Sequence, residues 1–388
     1  MTDRCPAPPR QVMSARRDGQ GSFATYHEES DVTRENQQLF AKTWVNTGSA
    51  SRIPHTGDCV PVAVAGLPLI LTRDSEQQVR AFHNVCRHRG ARILRSACYG
   101  ERLLRCPYHG WAYGLDGALR GTPHWKLSDQ SAPPGFDASD YGLEPVRVAV
   151  WLDQVFVNVD GQAPEFAEFL APLAERWRNY DLDLLRLGQQ RTLTVNANWK
   201  FAIENFLDTY HLPMVHPQLG DVTAASRFSD VNLDRTVFGI CYTTGAADKP
   251  KSSGLKFRRF KGLTEAQRSG QDILALYPNT LIEMMPHHMM LVAIQPDGPD
   301  RCVEHLNFYF LGDDATDPAL ESERHKTAEA WCEIMGQDIA ILEELQATAH
   351  SPVVSRSADL SPLWEPVSYT HLRAHETLRY LVCRLLLE

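Results

Sequence analysis

The sequence predicts an α+β protein with two domains, a small antiparallel β domain followed by a larger domain that combines helices with an antiparallel sheet. Residues 58–160 consist of short alternating apolar and polar runs, each bounded by Gly, Asp or Pro, which is typical of antiparallel strands. Residues 164–187 turn helical, and the rest of the chain mixes helical and strand patterns. The 388 residues are enough for two domains, each with a sizeable core.

The composition argues against several classes of function. Hydrophobic residues make up 43% and charged residues 22% of the chain, as in ordinary globular proteins. The formal net charge of −9 argues against a nucleic-acid partner. The first residues lack the apolar core of a signal peptide, and no apolar run approaches the roughly 20 residues that span a bilayer. We therefore expect a cytoplasmic protein. Its nine cysteines lack the dense, even spacing of a disulfide scaffold, and those that share a motif with histidines are better explained as metal ligands.

The chain order can be predicted element by element. Helices are expected over residues 29–44, 199–212 and 319–348, and a loop or mobile lid over residues 245–270. Strands are predicted in the sequences CVPVAVAG, LPLILTR, QVRAFHNV, RLLRCPYH, VRVAVWLD, QVFVNVD, HHMMLVAIQP and CVEHLNFYFL. The expected divisions are an N-terminal helical segment at 1–44 that packs on the larger domain, the β domain at 45–160, the larger domain at 161–366 and a tail at 367–388.

The tail is predicted to be foreign to the protein. VSYTHLRAHET resembles one reading frame of a sequencing-library adapter, and LRYLVCRLLLE resembles the flanking primer site. The alternative is a native amphipathic helix, because Leu378, Leu381, Val382 and Leu385 fall at helical spacing. We set the tail aside, so its histidines and its cysteine are not candidate ligands, and we expect the natural C-terminus to be missing.

Two short cysteine–histidine pairs form the most specific motif. Cys86 and His88 are two residues apart, and Cys106 and His109 are three apart, so each pair can supply one thiolate and one imidazole from one loop. A Rieske 2Fe–2S centre holds one iron with two cysteines and the other with two histidines. The motif therefore predicts Cys86 and Cys106 on the first iron and His88 and His109 on the second, with both histidines near the surface. The alternative is a structural zinc site, but zinc modules usually carry two cysteines or two histidines in each short pair.

The residues around these pairs suit a covered cluster. Gly110, Trp111 and Gly117 are compatible with a tight loop and an apolar cover, whereas Cys98 fits neither pair and is predicted to be a small buried residue. The segments CRHRGA and CPYHGWAYGLDG resemble the Rieske domain of aromatic-ring-hydroxylating and related oxygenases.

A second motif predicts a mononuclear metal site. His211 and His216 are five residues apart, with Pro213 between them, so they would not lie on one face of a regular helix. With one carboxylate they would form the two-histidine, one-carboxylate triad that holds Fe(II) and leaves positions open for O2. The string NWKFAIENFLDTYHLPMVHP resembles the iron-binding region of Rieske non-haem iron oxygenase catalytic subunits, and the resemblance covers roughly residues 40–366.

The resemblance implies roles for three further residues. Asp338, in the predicted helix 319–348, would be the third iron ligand, with Glu333, Glu343 and Glu344 as local competitors. Asp208 would link His109 of one subunit to His211 of the next. Asn205 would lie near the open face of the iron. The resemblance also implies a helix-grip-type catalytic domain.

The implied function is that of the oxygenase component of a multicomponent Rieske oxygenase. It would use O2, and electrons from a separate flavin or NAD(P)H reductase with or without a ferredoxin, and would be a homotrimer. The alternatives are a Rieske-type electron-transfer protein without oxygenase activity and a structural zinc-binding protein.

The substrate would be a small aromatic compound or a quaternary amine. It would be hydroxylated, dihydroxylated or N-demethylated. Many naphthalene-type dioxygenases carry an extra glycine before the aspartate, and the segment from Asp208 to His211 lacks it, so the resemblance disfavours large fused arenes. Position 208 holds Asp rather than the Glu that resembles carnitine-type enzymes, which disfavours carnitine. Two groups of side chains are candidates for the pocket wall. These are a possible aromatic cage of Phe206, Tyr242, Tyr277 and Phe308, and the histidine pair His287 and His288.

Overall fold

The computed structural model describes residues 26, 28–126, 133–219, 228–243, 256–351 and 353–354. The predicted foreign tail at 367–388 lies outside these residues. The chain divides into two units, one formed by residues 33–169 and the other by residues 1–32 together with 170–388. None of the helices within the described ranges is long and apolar enough to cross a membrane.

The unit at 33–169 is built on antiparallel strands. A six-stranded sheet has the order β1-β9-β8-β4-β3-β2, and a three-stranded sheet has the order β5-β6-β7. The strands are β1 (Val45–Ser49), β2 (Cys59–Val64), β3 (Leu67–Arg73), β4 (Val79–His83), β5 (Leu104–Arg105), β6 (Ala112–Tyr113), β7 (Leu119–Gly121), β8 (Pro145–Trp151) and β9 (Gln154–Asn158). Ile70, Phe82, Trp111 and Tyr113 are buried in one core that also contains Cys86 and Cys106.

The other unit carries a seven-stranded antiparallel sheet with the order β10-β16-β15-β14-β13-β12-β11. Its strands are β10 (Leu185–Val195), β11 (Phe228–Asn232), β12 (Val237–Thr243), β13 (Gly270–Leu276), β14 (Thr280–Met284), β15 (His288–Pro296) and β16 (Cys302–Leu311). The α-helices of the described chain are α1 (Glu29–Glu35), α2 (Phe166–Arg176), α3 (Trp199–Leu207), α4 (Leu212–Val215), α5 (Glu265–Arg268) and α6 (Glu321–Thr348).

The long helix α6 packs against β10. At its start, Arg324 donates to the carbonyl of Asp314 at 2.8 Å, and near its end the side chain of Gln346 accepts from the N–H of Asn198 at 2.8 Å. A Cβ at Gly188 of β10 would lie 2.6 Å from the ring of Phe310 and 3.0 Å from the side chain of Arg324. Glycine at this position therefore lets the helix approach the sheet closely.

Most predicted elements are present, but several differ in extent from the prediction. The helix expected over 29–44 is α-helical over Glu29–Glu35 and continues as a π-helix over Asn36–Phe40, and the strand expected in RLLRCPYH is limited to Leu104–Arg105. The helix expected over 164–187 ends at Arg176, because Leu185 already pairs with Leu311 in the sheet. The helix expected over 199–212 ends at Leu207, where Asp208 takes an extended conformation. The expected loop at 245–270 contains α5, which begins with a capping box of Thr264 and Gln267, while residues 244–255 lie outside the described structure.

Candidate metal centres

The two cysteine–histidine pairs lie on loops with the same backbone geometry. In the first loop the N–H of Gly90 donates to the carbonyl of Cys86 at 2.9 Å, and in the second the N–H of Gly110 donates to that of Cys106 at 3.0 Å. Both glycines have left-handed backbones, with φ of 73° and 72°. This conformation costs glycine little, since it has no Cβ, and it closes each loop four residues after its cysteine.

The loops bring the four predicted cluster ligands together. The Nδ1 atoms of His88 and His109 are 3.1 Å apart. Cys86 and Cys106 are buried, whereas His109 is exposed and His88 is half-buried, as predicted for histidines near the surface. Two buried sulfur donors on one side and two converging imidazole nitrogens on the other are the donor set of a Rieske cluster, so these residues fit that cofactor.

Aromatic side chains cover this site. The ring of Trp111 is nearly parallel to that of His88, with centroids 4.9 Å apart, and Trp125 meets His88 edge-on at 5.4 Å. The hydroxyl of Tyr113 accepts from the backbone N–H of Arg87 at 3.0 Å and lies 3.2 Å from Sγ of Cys86. Burial raises the pKa of the Cys86 thiol and lowers the pKa of His88. The tyrosine can donate a hydrogen bond to the sulfur, an interaction that the sequence analysis did not predict.

Cys98 lies apart from the ligand pairs. It forms an antiparallel bridge with Cys59, with backbone hydrogen bonds of 2.8 and 3.0 Å, and it is half-buried rather than fully buried. Gly117 has a left-handed backbone, and a Cβ there would lie 2.4 Å from the ring of Phe82. The tight loop predicted around Gly117 is therefore confirmed.

The second site brings His211, His216 and Asp338 together. One ligand atom from each residue lies within 4.8 Å of the others. Oδ1 of Asp338 is 2.9 Å from Nε2 of His216 and 3.3 Å from Nε2 of His211. His216 is fully buried and Asp338 is 8% exposed. These are the residue types and the spacing of the iron-binding triad, so the three side chains fit Fe(II).

A short helix sets the spacing of the two histidines. His211 precedes α4 and His216 follows it, and the N–H of Met214 donates to the carbonyl of His211 at 2.9 Å. Pro213 lies in the first turn, where proline is well tolerated. Proline therefore lies in the first turn of a new short helix, and the two histidines flank this helix instead of sharing one face of a longer one.

Hydrogen bonds orient both imidazoles. Nδ1 of His211 donates to Oδ2 of Asp208 at 2.9 Å, and Nδ1 of His216 donates to Oε1 of Gln337 at 2.8 Å. Each Nε2 then faces Asp338. A partner that fixes the tautomer of a ligand histidine is common in metal sites. Gln337 could not be predicted from the sequence, because no local pattern shows which helix side chain meets a histidine more than a hundred residues away.

The charges of the site favour a cation. Burial opposes protonation of His211, but its hydrogen bonds to Asp208 and Asp338 outweigh burial and raise its pKa to about 9. The pKa of His216 is also raised against burial, chiefly by Asp338. Burial tends to raise the pKa of Asp338, but hydrogen bonds from both histidines, with a smaller one from Asn205, lower it. Asn205 therefore lies beside Asp338.

Of the candidate pocket-wall residues, all except Phe206 are buried in the sheet domain. His287 and His288 are stacked, with centroids 4.7 Å apart, and burial lowers the pKa of His287 to about 4. Tyr242 packs on Phe228, and Tyr277 packs on Trp199 and Phe238. Phe308 is fully buried and Phe206 is half-buried.

The competitors for the third ligand position, Glu333, Glu343 and Glu344, are not members of the triad.

Two family models match the chain. The model described as the Rieske 2Fe–2S domain matches residues 43–130, and the model described as the catalytic domain of the ring hydroxylating alpha subunit matches residues 182–374. The chain belongs to the Rieske non-haem iron oxygenases. Its cofactors are accordingly a Rieske 2Fe–2S cluster and a mononuclear non-haem iron. The second match includes the first eight residues of the tail at 367–388, whose foreign origin stays a prediction.

Curated relatives of this Rieske chain include several monooxygenases. It is 36% identical over 183 residues to the glycine betaine monooxygenase oxygenase subunit of Pseudomonas aeruginosa, a match of 47% of this chain and 41% of that protein. It is 28% identical to the carnitine monooxygenase oxygenase subunit of Escherichia coli, over 75% of each chain. It is 25% identical to the chloroplastic choline monooxygenase of Spinacia oleracea, over 91% of this chain and 77% of that one. The match thus spans about two fifths of the glycine betaine enzymes.

Solved structures share its fold. A quaternary ammonium Rieske monooxygenase matches with a TM-score of 0.71 and 20% identity, over 94% of this chain and 95% of that chain. Naphthalene 1,2-dioxygenase from Rhodococcus sp. matches with a TM-score of 0.67 and 21% identity, over 87% and 84%. The predicted α+β fold, a β Rieske domain and a catalytic domain with an antiparallel sheet, is confirmed. The matches do not favour an electron carrier without oxygenase activity or a structural zinc protein.

Proposed function

We propose that this chain is the oxygenase component of a multicomponent Rieske oxygenase that uses O2 and reductase-supplied electrons to oxidise a small organic compound. The convergence of His211, His216 and Asp338 in a domain that matches the ring hydroxylating catalytic family carries this proposal. When bound, the 2Fe–2S cluster supplies electrons and the mononuclear iron activates O2 for attack on the substrate.

The cluster would be held by both cysteine–histidine loops. Cys86 and Cys106 would bind one iron through Sγ, and His88 and His109 would bind the other through Nδ1. The 3.1 Å distance between the two Nδ1 atoms supports this assignment, because two nitrogens that face each other this closely can bind the same iron. The exposed ring of His109 gives an electron a route to the protein surface.

The mononuclear iron would be held by Nε2 of His211, Nε2 of His216 and the carboxylate of Asp338. Asp208 and Gln337 would each keep a proton on Nδ1 of one histidine, so that the lone pair of Nε2 stays available. Asn205 would hold the Asp338 carboxylate by a hydrogen bond and would border the open face of the iron.

A homotrimer would complete the electron path. In the family that the chain resembles, a carboxylate at the place of Asp208 links a Rieske histidine of one subunit to an iron-ligand histidine of the next. Asp208 already contacts His211 and is partly exposed, and His109 is exposed, so both could meet groups of a neighbouring copy. A separate reductase, with or without a ferredoxin, would supply the electrons, in the cytoplasm.

The substrate would be a small aromatic compound or a quaternary amine, hydroxylated, dihydroxylated or N-demethylated. The relatives named for glycine betaine, carnitine and choline support the amine, and one named biphenyl dioxygenase supports the arene.

The exposed carboxylate of Glu333, on the same helix as Asp338, offers a matched control for the test.

The test is single-turnover O2 uptake by the full chain, loaded with iron and sulfide and reduced anaerobically. Choline, glycine betaine, benzoate and biphenyl would be offered to the wild type, Asp338→Asn and Glu333→Gln. We expect substrate-dependent O2 uptake in the wild type and Glu333→Gln, and none in Asp338→Asn, which should retain its cluster absorption. Zinc in place of iron and sulfide, or equal uptake in Asp338→Asn, would overturn the proposal.

A further inference from the structure

Two glutamates lie inside the catalytic sheet domain, where charged groups are rare. Glu283 of β14 and Glu304 of β16 are each 2% exposed. Among the described residues, Oε1 of Glu283 and Oε2 of Glu304 have no hydrogen-bond partner. A buried carboxylate with an oxygen that lacks a partner strongly destabilises the fold unless the group is protonated or meets a cation. The presence of two glutamates at these buried positions therefore needs an explanation, either a ligand or a structural role.

Both glutamates are on the face of the sheet that packs against α6. Side chains alternate along a strand, so Glu304 shares a face with Phe308 and Phe310. Phe310 is on the helix side, since its ring approaches the position of Gly188 together with the side chain of Arg324. Phe308 pairs with Met290, which pairs with Glu283, so Glu283 lies on the same face.

Glu304 lies beneath the iron triad. Helix α6 runs antiparallel to β16, because Arg324 is near Phe310 and the far end of the helix contacts Asn198. From Arg324 to Asp338 the helix rises about 21 Å, and from Phe310 to Glu304 the strand runs about 20 Å, so Asp338 lies over Glu304. Burial raises the pKa of Glu304 to about 8, with a contribution from the charge of Asp338, whereas burial alone raises that of Glu283.

We propose that Glu304 gives the site of His211, His216 and Asp338 a preference for positively charged organic substrates, amines or quaternary ammonium compounds. Its carboxylate would face the cationic nitrogen while a carbon next to that nitrogen faces the iron. This inference rests on the proposed function for the identity of the site. A neutral arene would leave the carboxylate without a partner, so the same residue selects against it.

The test measures binding, which needs no turnover. The iron-loaded full chain would be titrated anaerobically with choline, with tetramethylammonium, and with the neutral tert-butyl analogue of choline, in which carbon replaces the nitrogen. We expect the wild type to bind choline at least about tenfold more tightly than the neutral analogue. Glu304→Gln should lose most of this preference while binding the neutral analogue as before. Glu304→Asp, which keeps the charge, should retain part of it.

Glu283→Gln is the matched control, because Glu283 has the same residue type, burial and face. It should keep the full preference for choline. Equal binding of cation and neutral analogue by the wild type, or no binding of either, would overturn the inference. So would an unchanged preference in Glu304→Gln, an equal loss in Glu283→Gln, or a loss of iron from Glu304→Gln, since the last would assign Glu304 to the metal.

The proposed function and this inference fail in different ways. If the chain prefers the cation but takes up no O2 with any substrate, the oxygenase proposal is wrong and the charge preference stands. If it oxidises neutral arenes and does not distinguish cation from neutral analogue, the oxygenase proposal stands and the role of Glu304 is wrong.

Discussion

Oδ2 of Asp208 accepts a hydrogen bond from Nδ1 of His211 at 2.9 Å, while Oδ1 of the same carboxylate accepts from the backbone N–H of Tyr210 at 2.7 Å. The carboxylate is therefore anchored to the chain on one side and to a ligand imidazole on the other. Asp208 caps the end of α3, where its N–H donates to the carbonyl of Asn205, and its extended backbone lets the side chain make both contacts.

Asp208→Asn is expected to keep the iron and lose turnover. The amide still fills the space but accepts the imidazole N–H less strongly, so His211 is oriented less well. We expect O2 uptake to fall on the order of 10–100-fold, with iron content within twofold of the wild type. Asp208→Glu, which retains the charge, should lose less activity. Loss of iron in step with activity would show that Asp208 holds the metal rather than positioning the histidine.

Gln337→Ala is expected to weaken iron binding. Oε1 of Gln337 accepts from Nδ1 of His216 at 2.8 Å and from the side chain of Gln218 at 2.7 Å, so its removal frees the imidazole to rotate. The expected loss of iron affinity is roughly 10–100-fold, measured by competition with a chelator. Glu333→Gln, one helical turn earlier and exposed, should bind iron as the wild type does. Similar affinities in both variants would contradict this role.

Tyr113→Phe is expected to lower the reduction potential of the cluster. The hydroxyl lies 3.2 Å from Sγ of Cys86, and a hydrogen bond to a cluster thiolate stabilises the reduced form. A bond of about 0.5–1.5 kcal/mol corresponds to roughly 20–60 mV for one electron, measurable by redox titration. Tyr141→Phe removes a hydroxyl from a ring that contacts Trp111 and should leave the potential unchanged. An equal shift of the reduction potential in both variants would attribute the effect to the general polarity around the cluster rather than to this hydrogen bond.

Glu304 is expected to make stability depend on pH. Burial, with a smaller contribution from the charge of Asp338, raises its folded pKa to about 8 from the ordinary value of 4.5, so the folded protein binds more protons than the unfolded chain between these values. Its contribution to stability therefore falls as the pH rises through this window. From pH 6.5 to 8 the loss would be about 2 kcal/mol at most.

Urea unfolding of the wild type and Glu304→Gln at both pH values checks this. The prediction concerns the difference in unfolding free energy between the two proteins, because the other groups titrate equally in both. The wild type should lose more stability than Glu304→Gln as the pH rises, and Glu333→Gln should follow the wild type. Parallel loss in all three would mean that Glu304 has an ordinary pKa.

The local parts of the two sites could be predicted from sequence, and the distant parts could not. Cys86, His88, Cys106 and His109 lie on two short loops, so spacing alone groups them in pairs. Asp338 is over a hundred residues from His216, and only the resemblance to a family placed it. No local pattern tells which side of α6 faces the histidines.

The burial of Glu304 was not predicted from the sequence, because a single charged residue in a strand usually faces solvent. The strand CVEHLNFYFL has an apolar run long enough to be buried on both faces, and a glutamate in such a central strand has no water to face. A glutamate within a strand of this apolar pattern, rather than the glutamate alone, is the sequence signal that indicates a buried carboxylate.

The four residues of α4 act as a spacer of fixed length between the two histidine ligands. Its length is set by backbone hydrogen bonds, so changes in the identity of Leu212, Met214 or Val215 leave the spacing intact. Adding or removing one residue would turn one histidine by about 100° around the helix axis. The segment should therefore tolerate changes of side chain, whereas its length admits no variation.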